Sequence, residues 1–428
     1  MRRNTYSILR GAFLFVLLLG VTQCASYQED IKEMKIAYRS SSYERALAAL
    51  DKSPIKPNGK NRLLYLLEKS QILESMGRTK ESRAALIKAD KVVDELYTVS
   101  VSKEAATYIF NESAQAYGGE DFEKVAIHAM LSLSFLKEND LAAARVEARR
   151  INTRLNEINQ EYEKKNRYSE DAFARYLAGM IYESRGEIDS AIVDYRKAVK
   201  TYEGAYQKLF KTETPRSLLE ALARLYKKRG RNDDLKRLKA NFPRILGATR
   251  PLPRGKGEIV VIHTAGNIAT KMREEFVLPI GKEIVRFSFP IIRPKSTYAF
   301  GKTGITVEGN KFSPADLSQN LDQIASKTLE DRRLRLTLKA GARLILKSQL
   351  TQQAAKEFGP LGQIAGNIFG AVTETADTRS WTLLPSMFFI SRVPVDAGEH
   401  RVKIQTNGKV SGFEKVSVKA GGIAFLVD

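Results

Sequence analysis

The stretch RYLAGMIYESRGEIDSAIVDYRKAV, residues 175–199, indicates the fold of the first half of the chain. It holds two segments of helical periodicity joined at Gly186, a residue that suits a tight turn. Tyr182 and Tyr195 are large enough to fill the space between two such helices. The residues small enough to allow close helix approach are Gly179, Ala191 and Ala198. The stretch therefore predicts a packed helix pair.

These residue types at these offsets resemble a tetratricopeptide repeat (TPR). Weaker copies extend over residues 27–246, a region rich in Ala, Leu, Glu and Lys. We therefore predict an irregular TPR-like helical solenoid over residues 24–246, with a generic helical bundle as the alternative. Stacked helix pairs present a concave surface suited to protein or peptide partners. The expected turn positions are Gly77, Asn139, Gly186 and Gly230.

The chain has 428 residues, 70 Lys or Arg, 49 Asp or Glu, and a formal net charge of +21. This length predicts two or three domains, each able to bury a core. A single Cys excludes an intrachain disulfide and a cysteine-cluster metal site, and three His leave little for a His-rich metal centre. We expect no cofactor and no metal. The charge favours anionic partners, but no basic patch with interleaved aromatic residues points to nucleic acid.

Residues 1–23 have the features of a secretion signal. Basic residues precede an apolar run at 12–21, which is too short to span a bilayer. The following Val21-Thr22-Gln23-Cys24 resembles the lipobox of bacterial lipoproteins and holds the only Cys of the chain. The resemblance implies cleavage before Cys24 and a covalent lipid on its thiol, which attaches the protein to a membrane. The alternatives are an ordinary signal peptide with an incidental Cys, or an uncleaved anchor.

The residue after the lipobox Cys is Ala25 and not Asp. In enterobacterial lipoproteins this choice favours the outer membrane, so the resemblance implies the periplasmic face of that membrane. No later apolar run reaches the roughly 18 residues that a membrane-spanning helix needs. The rest of the chain is therefore expected to be tethered to the membrane and not embedded in it.

Residues 247–257 (GATRPLPRGKG) interrupt the helical pattern with Gly, Pro and basic residues, as is typical of a linker. The remainder, 258–428, is expected to be a β-rich domain resembling a small sandwich. The predicted elements are a strand at 258–263, a strand at 284–292, a hairpin around Gly309-Asn310 and a tight hairpin around Asn407-Gly408.

A helical insert is expected at about 314–376, beginning with a helix over Ala315–Thr328. The alternating RLRLTL motif at 333–338 is compatible with either a helix or a strand. On a helix, the basic residues of this region would form one positive stripe, which is a candidate surface for lipid headgroups, an acidic protein or a wall polymer. A solvated face is the alternative. The residues of this basic stripe are Arg335, Lys339, Arg343 and Lys347.

Glycines also recur every four residues in the insert, at Gly362, Gly366 and Gly370. This spacing lets helices pack backbone to backbone. The expected contact is with another helix of the protein, and a membrane interface is the alternative.

Residues 116–152, 329–343 and 376–400 resemble the signature stretches of a bacterial tetratricopeptide-repeat-type envelope lipoprotein family. The resemblance covers most of the chain and implies a cell-envelope lipoprotein, without implying a particular activity. Among the residues that carry it are Glu147, Arg149, Arg150, Asp377, Arg379 and Trp381.

Each half of that set has two interpretations. Glu147, Arg149 and Arg150 could bind a partner or form an ion-pair network between helices. Trp381, the only Trp, could anchor a partner, because Trp and Arg are frequent at binding hot spots. The interpretation that we favour places Trp381 in the core and pairs Asp377 with a nearby Arg such as Arg379.

The sequence contains no phosphate-binding loop, no HExxH motif and no GxSxG motif. His128 lies in an apolar helical run, where a packed residue is expected rather than a base. We therefore expect a non-enzymatic scaffold, or an assembly or regulatory factor, that holds an envelope protein or peptide. The alternative is a cell-wall hydrolase or a regulator of peptidoglycan synthesis. A hydrolase would require groups such as His263, Asp377 and His400 to converge in a cleft.

Overall fold

The computed structural model describes residues 27–101, 115–161, 168–247, 255–280, 283–295, 302–331, 376–406 and 408–428. Cys24, the basic stripe and the glycines at 362, 366 and 370 lie outside the described residues, so the interpretations placed on them stay predictions. Within the described part, helices fill the first half and strands dominate the second.

The described part of residues 27–247 is mainly helical. Its helices are α1 (Tyr27–Asp30), α2 (Lys32–Arg39), α3 (Tyr43–Lys52), α4 (Arg62–Ser75), α5 (Thr79–Val101), α6 (Asp121–Lys137), α7 (Leu141–Glu161), α8 (Ala172–Ser184), α9 (Ile188–Thr201), α10 (Arg216–Lys228), α11 (Asn232–Asn241) and α12 (Pro243–Leu246). A π-helical segment, Tyr202–Tyr206, continues α9. Asp171 begins α8 by accepting a hydrogen bond from the Ala174 amide at 2.8 Å.

Residues 175–199, the stretch that resembles a tetratricopeptide repeat, form most of the helix pair α8 and α9. A Cβ atom on Gly179 would lie 2.3 Å from Cδ1 of Tyr195, so the helices approach closely only because residue 179 is Gly. Gly186 connects them with a φ of +76°. The predicted turns at Gly77, Asn139 and Gly230 also have positive φ, as expected where a helix ends in the left-handed region. The helix pairs and their turns are therefore as the sequence predicted.

The strands in the described part of the chain form two four-stranded sheets and a separate ribbon. They are β1 (Lys256–Asn267), β2 (Lys271–Ile280), β3 (Glu283–Ile292), β4 (Gly304–Val307), β5 (Ser313–Pro314), β6 (Asp316–Asn320), β7 (Pro385–Asp396), β8 (Gly398–Thr406), β9 (Lys409–Val418) and β10 (Ile423–Val427). The first sheet has the order β10-β1-β7-β6, the second has the order β5-β4-β8-β9, and among the described residues β2 pairs only with β3. β10 runs parallel to β1, and the other pairs are antiparallel.

The predicted start of the helical insert is wrong. Residues Asp316–Asn320 form strand β6 instead of the expected helix, because they pair with the central strand β7. Cross-strand pairing outweighs the local helical preference of so short a segment. The helix begins later, over residues 321–331, and is named α13.

Strand β1, which contains the strand predicted at 258–263, is buried on both faces. Ile259 and Val261 pack between the two sheets, where they meet residues of β4, β8 and β9. Val260 and Ile262 point to the opposite face and belong to the large core that the helices build. Because one strand serves both cores, the helical half and the β-rich half form a continuous packed structure.

Candidate functional site

Residues 376–384 form an irregular crossing segment that carries Asp377, Arg379 and Trp381 into the helical half. The Trp381 side chain is completely buried. Arg379 donates to both carboxylate oxygens of Asp377, at 2.9 Å from Nε and 2.7 Å from a terminal nitrogen. It also reaches Asn61 Oδ1 at 3.0 Å. These contacts fasten the crossing segment to the core, in keeping with the structural interpretation of the three residues.

The buried carboxylate of Glu68 holds the backbone of the crossing segment. It accepts hydrogen bonds from the amides of Thr382 at 2.6 Å and Leu383 at 3.0 Å, and from the hydroxyl of Tyr27 at 2.9 Å. Burial raises the pKa of Glu68 to about 7, although these donors favour the charged form. The carboxylate thus replaces water as the partner of two amides in a dry interior.

Glu123 holds the same segment from α6. It accepts a hydrogen bond from the Trp381 amide at 2.7 Å and another from the Tyr117 hydroxyl at 2.5 Å. Glu120 and Glu123 form a capping box at the start of this helix, and Lys271 of β2 forms an ion pair with Glu120. Two helix positions therefore fix the path of the crossing segment.

A second polar cluster joins α5, α6 and α7. His128 lies between the carboxylates of Asp90, 3.2 Å from Nε2, and Glu147, 2.9 Å from Nδ1. Burial alone would lower the pKa of His128, but the two carboxylates outweigh it and raise the pKa. Arg150 lies 3.4 Å from Asp90, while Arg149 is exposed. The interhelix network expected for Glu147 and Arg150 is present, and Arg149 lies outside it.

The residues that a hydrolase would need do not converge. His263 is completely buried and bonds to Ser391 and Thr406, each at 2.9 Å. Asp377 is committed to the crossing segment, and His400 Nε2 contacts a backbone carbonyl at 2.7 Å. Among the described residues, no group of three or more His, Cys, Asp or Glu could hold a metal ion.

A cleft of about 470 Å³ opens between α10, α11 and the start of β10. Its rim carries Lys227, Lys228 and Lys239, which are exposed and form no ion pair with a described residue, so we call it the lysine cleft. In its floor, Glu258 accepts hydrogen bonds from Arg224 at 2.8 Å and from Arg392 at 3.0 Å. These guanidinium groups outweigh burial and lower the pKa of Glu258, so the rim lysines set the charge of the opening.

The neighbouring strand β10 is an edge strand of the first sheet. It pairs with β1 on one side, and within the described part of the chain it has no strand on the other. All five of its residues are half-exposed. Ile423 at one end lines the lysine cleft, and Val427 at the other lines a second cleft. The edge of β10 therefore leads from one cleft to the other.

The second cleft has a volume of about 510 Å³ and lies between the helical half and the ends of β1 and β10. Tyr38 and Tyr43 line it with their rings 5.4 Å apart between centroids, so we call it the tyrosine cleft. Gln71 and Glu74 of α4 line it as well.

Sequence reasoning missed the residues of both clefts. Lys227, Lys228 and Lys239 lie on polar faces of helices, where a solvated position is the ordinary interpretation. Gln71 lies in a helix with no marked polar face, so no local signal distinguishes it. The basic stripe, which sequence reasoning did single out as Arg335, Lys339, Arg343 and Lys347, lies outside the described residues.

Comparison with known proteins gives only distant structural likenesses. No family model matches the chain, and no curated protein matches it. MamA is similar over 50% of this chain and 92% of its own, with 17% identity and a TM-score of 0.30. YrrB, described as a TPR protein with an unusual peptide-binding site, is similar over 55% of this chain and 93% of its own, with 14% identity and a TM-score of 0.31.

A kinesin light chain with nearly identical TPR-like repeats from Podosopora anserina is similar over 51% of this chain and 95% of its own, with 12% identity and a TM-score of 0.32. These solved structures are all TPR-type proteins. Because the TM-scores are low, the repeat-like character of the helical half rests on its own helix pairs and turns. Of the helices among the described residues, none has the length and apolar composition required to cross a membrane.

Proposed function

We propose that this protein is a lipid-anchored scaffold of the cell envelope that binds an acidic, extended segment of a partner protein along β10 and the lysine cleft. The observation that carries the proposal is the half-exposed edge of β10 beside the cleft. An extended peptide that adds a strand to such an edge satisfies its own backbone groups and those of the edge.

Charge complementarity selects the kind of segment. Lys227, Lys228 and Lys239 surround the opening, while the two carboxylates of the lining, Glu183 and Glu258, are paired with the guanidinium groups of Arg224 and Arg392. A segment with Asp or Glu side chains would be attracted to this rim, whereas a basic segment would be repelled. The excess of basic over acidic residues favours the same choice over longer distances.

The envelope location rests on the sequence. The Cys24 lipobox supports acylation and attachment at the periplasmic face of the outer membrane. In this arrangement the lipid fixes the protein to the membrane, and the helical half together with β10 recruits the partner for an assembly or regulatory step.

Two measurements test the proposal. A photo-crosslinking residue placed at Lys228 should capture a partner in membranes, and the crosslinked peptide should come from an acidic segment. Reversing the charge of Lys227 and Lys239 should reduce that crosslink at least tenfold. A crosslinker at the exposed Lys88 of α5 is the matched control. A crosslink at Lys228 that survives charge reversal would contradict the docking site.

The anchor is tested separately with the variant Cys24→Ala. We expect it to lose labelled palmitate and to leave the membrane fraction. If fractionation and labelling equal those of the unaltered protein, the lipoprotein assignment is wrong.

A further inference from the structure

The tyrosine cleft contains two polar groups that the protein itself does not satisfy. Gln71 is 4% exposed, and its Nε2 atom has no hydrogen-bond partner among the described residues. One helical turn away, Glu74 Oε2 is also buried without a partner, although Oε1 of the same carboxylate accepts a bond from Lys137 at 2.6 Å. A buried polar group without a partner is unfavourable, because it has lost its hydrogen bonds to water. A donor and an acceptor are therefore left for a ligand.

The spacing of these two atoms constrains the ligand. Residues three apart on a helix lie on the same face, and both residues line the cleft, so the unpartnered donor and acceptor belong to one wall of it. A hydroxyl group or a secondary amide offers both an acceptor and a donor within a few ångströms. Because Lys137 already neutralises Glu74, the pair does not demand a charged ligand.

The rest of the lining suits a compact polyhydroxylated molecule. Hydroxyl side chains come from several elements, among them Tyr38, Ser75, Ser82 and Thr264. The half-buried rings of Tyr38 and Tyr43 are tilted by 58° and provide flat apolar faces, against which the C–H face of a sugar ring can pack. The volume of about 510 Å³ is within the range of small-ligand pockets, roughly 300–1,000 Å³.

We infer that the tyrosine cleft is a binding site for an N-acetylated saccharide. The acetamido carbonyl accepts the hydrogen bond of Gln71 Nε2, the amide or a ring hydroxyl donates to Glu74 Oε2, and a sugar ring packs on the tyrosine pair. This site shares no lining residue with the lysine cleft, and only the far end of β10, at Val427, reaches it.

The experiment titrates the full chain in detergent with N,N′-diacetylchitobiose by calorimetry and ligand-observed NMR. Cellobiose lacks the acetamido groups, and trialanine supplies peptide groups without sugar rings. We expect the acetylated disaccharide to bind at least tenfold more tightly than either comparison ligand.

The variant Gln71→Leu should weaken that binding at least tenfold without lowering the melting temperature, since it removes a donor that the fold leaves unpaired. Glu74→Gln provides a second test that keeps the side-chain size. Lys228→Ala, in the other cleft, is the matched control and should bind the disaccharide unchanged.

Each other outcome overturns the inference. These outcomes are no binding of the acetylated disaccharide at millimolar concentration, equal binding of cellobiose, stronger binding of trialanine, or disaccharide affinity unaffected by Gln71→Leu and Glu74→Gln. None of them alters the crosslink expected at Lys228, so failure of this site and failure of the protein scaffold are distinguishable.

Discussion

Substitution of Gly179 by Ala tests how closely α8 and α9 pack. The added methyl group would lie 2.3 Å from a carbon of the Tyr195 ring, whereas ordinary contact begins near 3.4 Å. The ring must therefore move by about 1.1 Å. It has no room to do so, because Tyr195 is fully buried, donates to Glu183 at 2.6 Å and accepts from Arg392 at 3.1 Å.

Two effects of opposite sign contribute to the stability of this variant. Overpacking a filled core costs about 1–3 kcal/mol, and more where the neighbours cannot relax. Ala in place of Gly inside a helix contributes about 1 kcal/mol in the other direction. We expect the clash to dominate and the free energy of unfolding to fall by about 2 kcal/mol.

Urea unfolding followed by circular dichroism measures this change. Gly118→Ala is the control, because a Cβ atom there meets nothing within 4 Å, and its effect should stay within about 0.5 kcal/mol. Combining Gly179→Ala with Tyr195→Leu should recover part of the loss, since the double variant removes the ring. If Gly179→Ala is as stable as the original protein or more so, helix propensity dominates and the close-packing explanation is refuted.

Two further predictions concern pH. The pKa of Glu68 is raised from 4.5 to about 7, so between these pH values the folded state holds a proton that the unfolded state releases. The free energy of unfolding should therefore fall by roughly 3 kcal/mol between pH 4.5 and 7. Urea unfolding at pH 5 and pH 8 should show a smaller fall for Glu68→Gln, and an equal fall in the variant would contradict this assignment. The raised pKa of His128 means that its stabilising charge is fully present below its unfolded pKa of about 6.5 and is lost as pH rises through the folded value. His128→Gln should therefore destabilise the protein more at pH 6 than at pH 9 by the same measurement, and an equal loss at both would show that packing alone explains the residue.

The helix pairs could be predicted from the sequence because their determinants are local. Gly186 and Tyr195 lie within one short stretch, and the turn residues Gly77, Asn139 and Gly230 adopt the positive φ that their types suggest. The hairpins that turn at Gly309 and Gly408 could be predicted for the same reason, since the residues that determine them are neighbours in the chain.

Features that depend on distant partners could not be predicted. Asp316–Asn320 forms a strand because it pairs with β7, and no residue pattern within the segment predicts that pairing. In the sequence, Glu68 resembles a surface residue of an ordinary helix. It is nevertheless fully buried, because backbone amides far along the chain donate hydrogen bonds to its carboxylate. Both clefts lie where helices meet β10, so their residues become neighbours only in the folded molecule.

The crossing segment has a consequence for biosynthesis. Glu68 and the Thr382 amide are 314 residues apart, and Glu123 and the Trp381 amide are 258 residues apart. When the helices of residues 27–247 have been synthesised, both carboxylates still lack their backbone donors, and the site of Trp381 is an open gap in the core. Contacts of such high sequence separation slow folding. We therefore expect the helical half to complete its folding only after the crossing segment, residues 376–384, has emerged, and to depend on protection from aggregation and proteolysis until then.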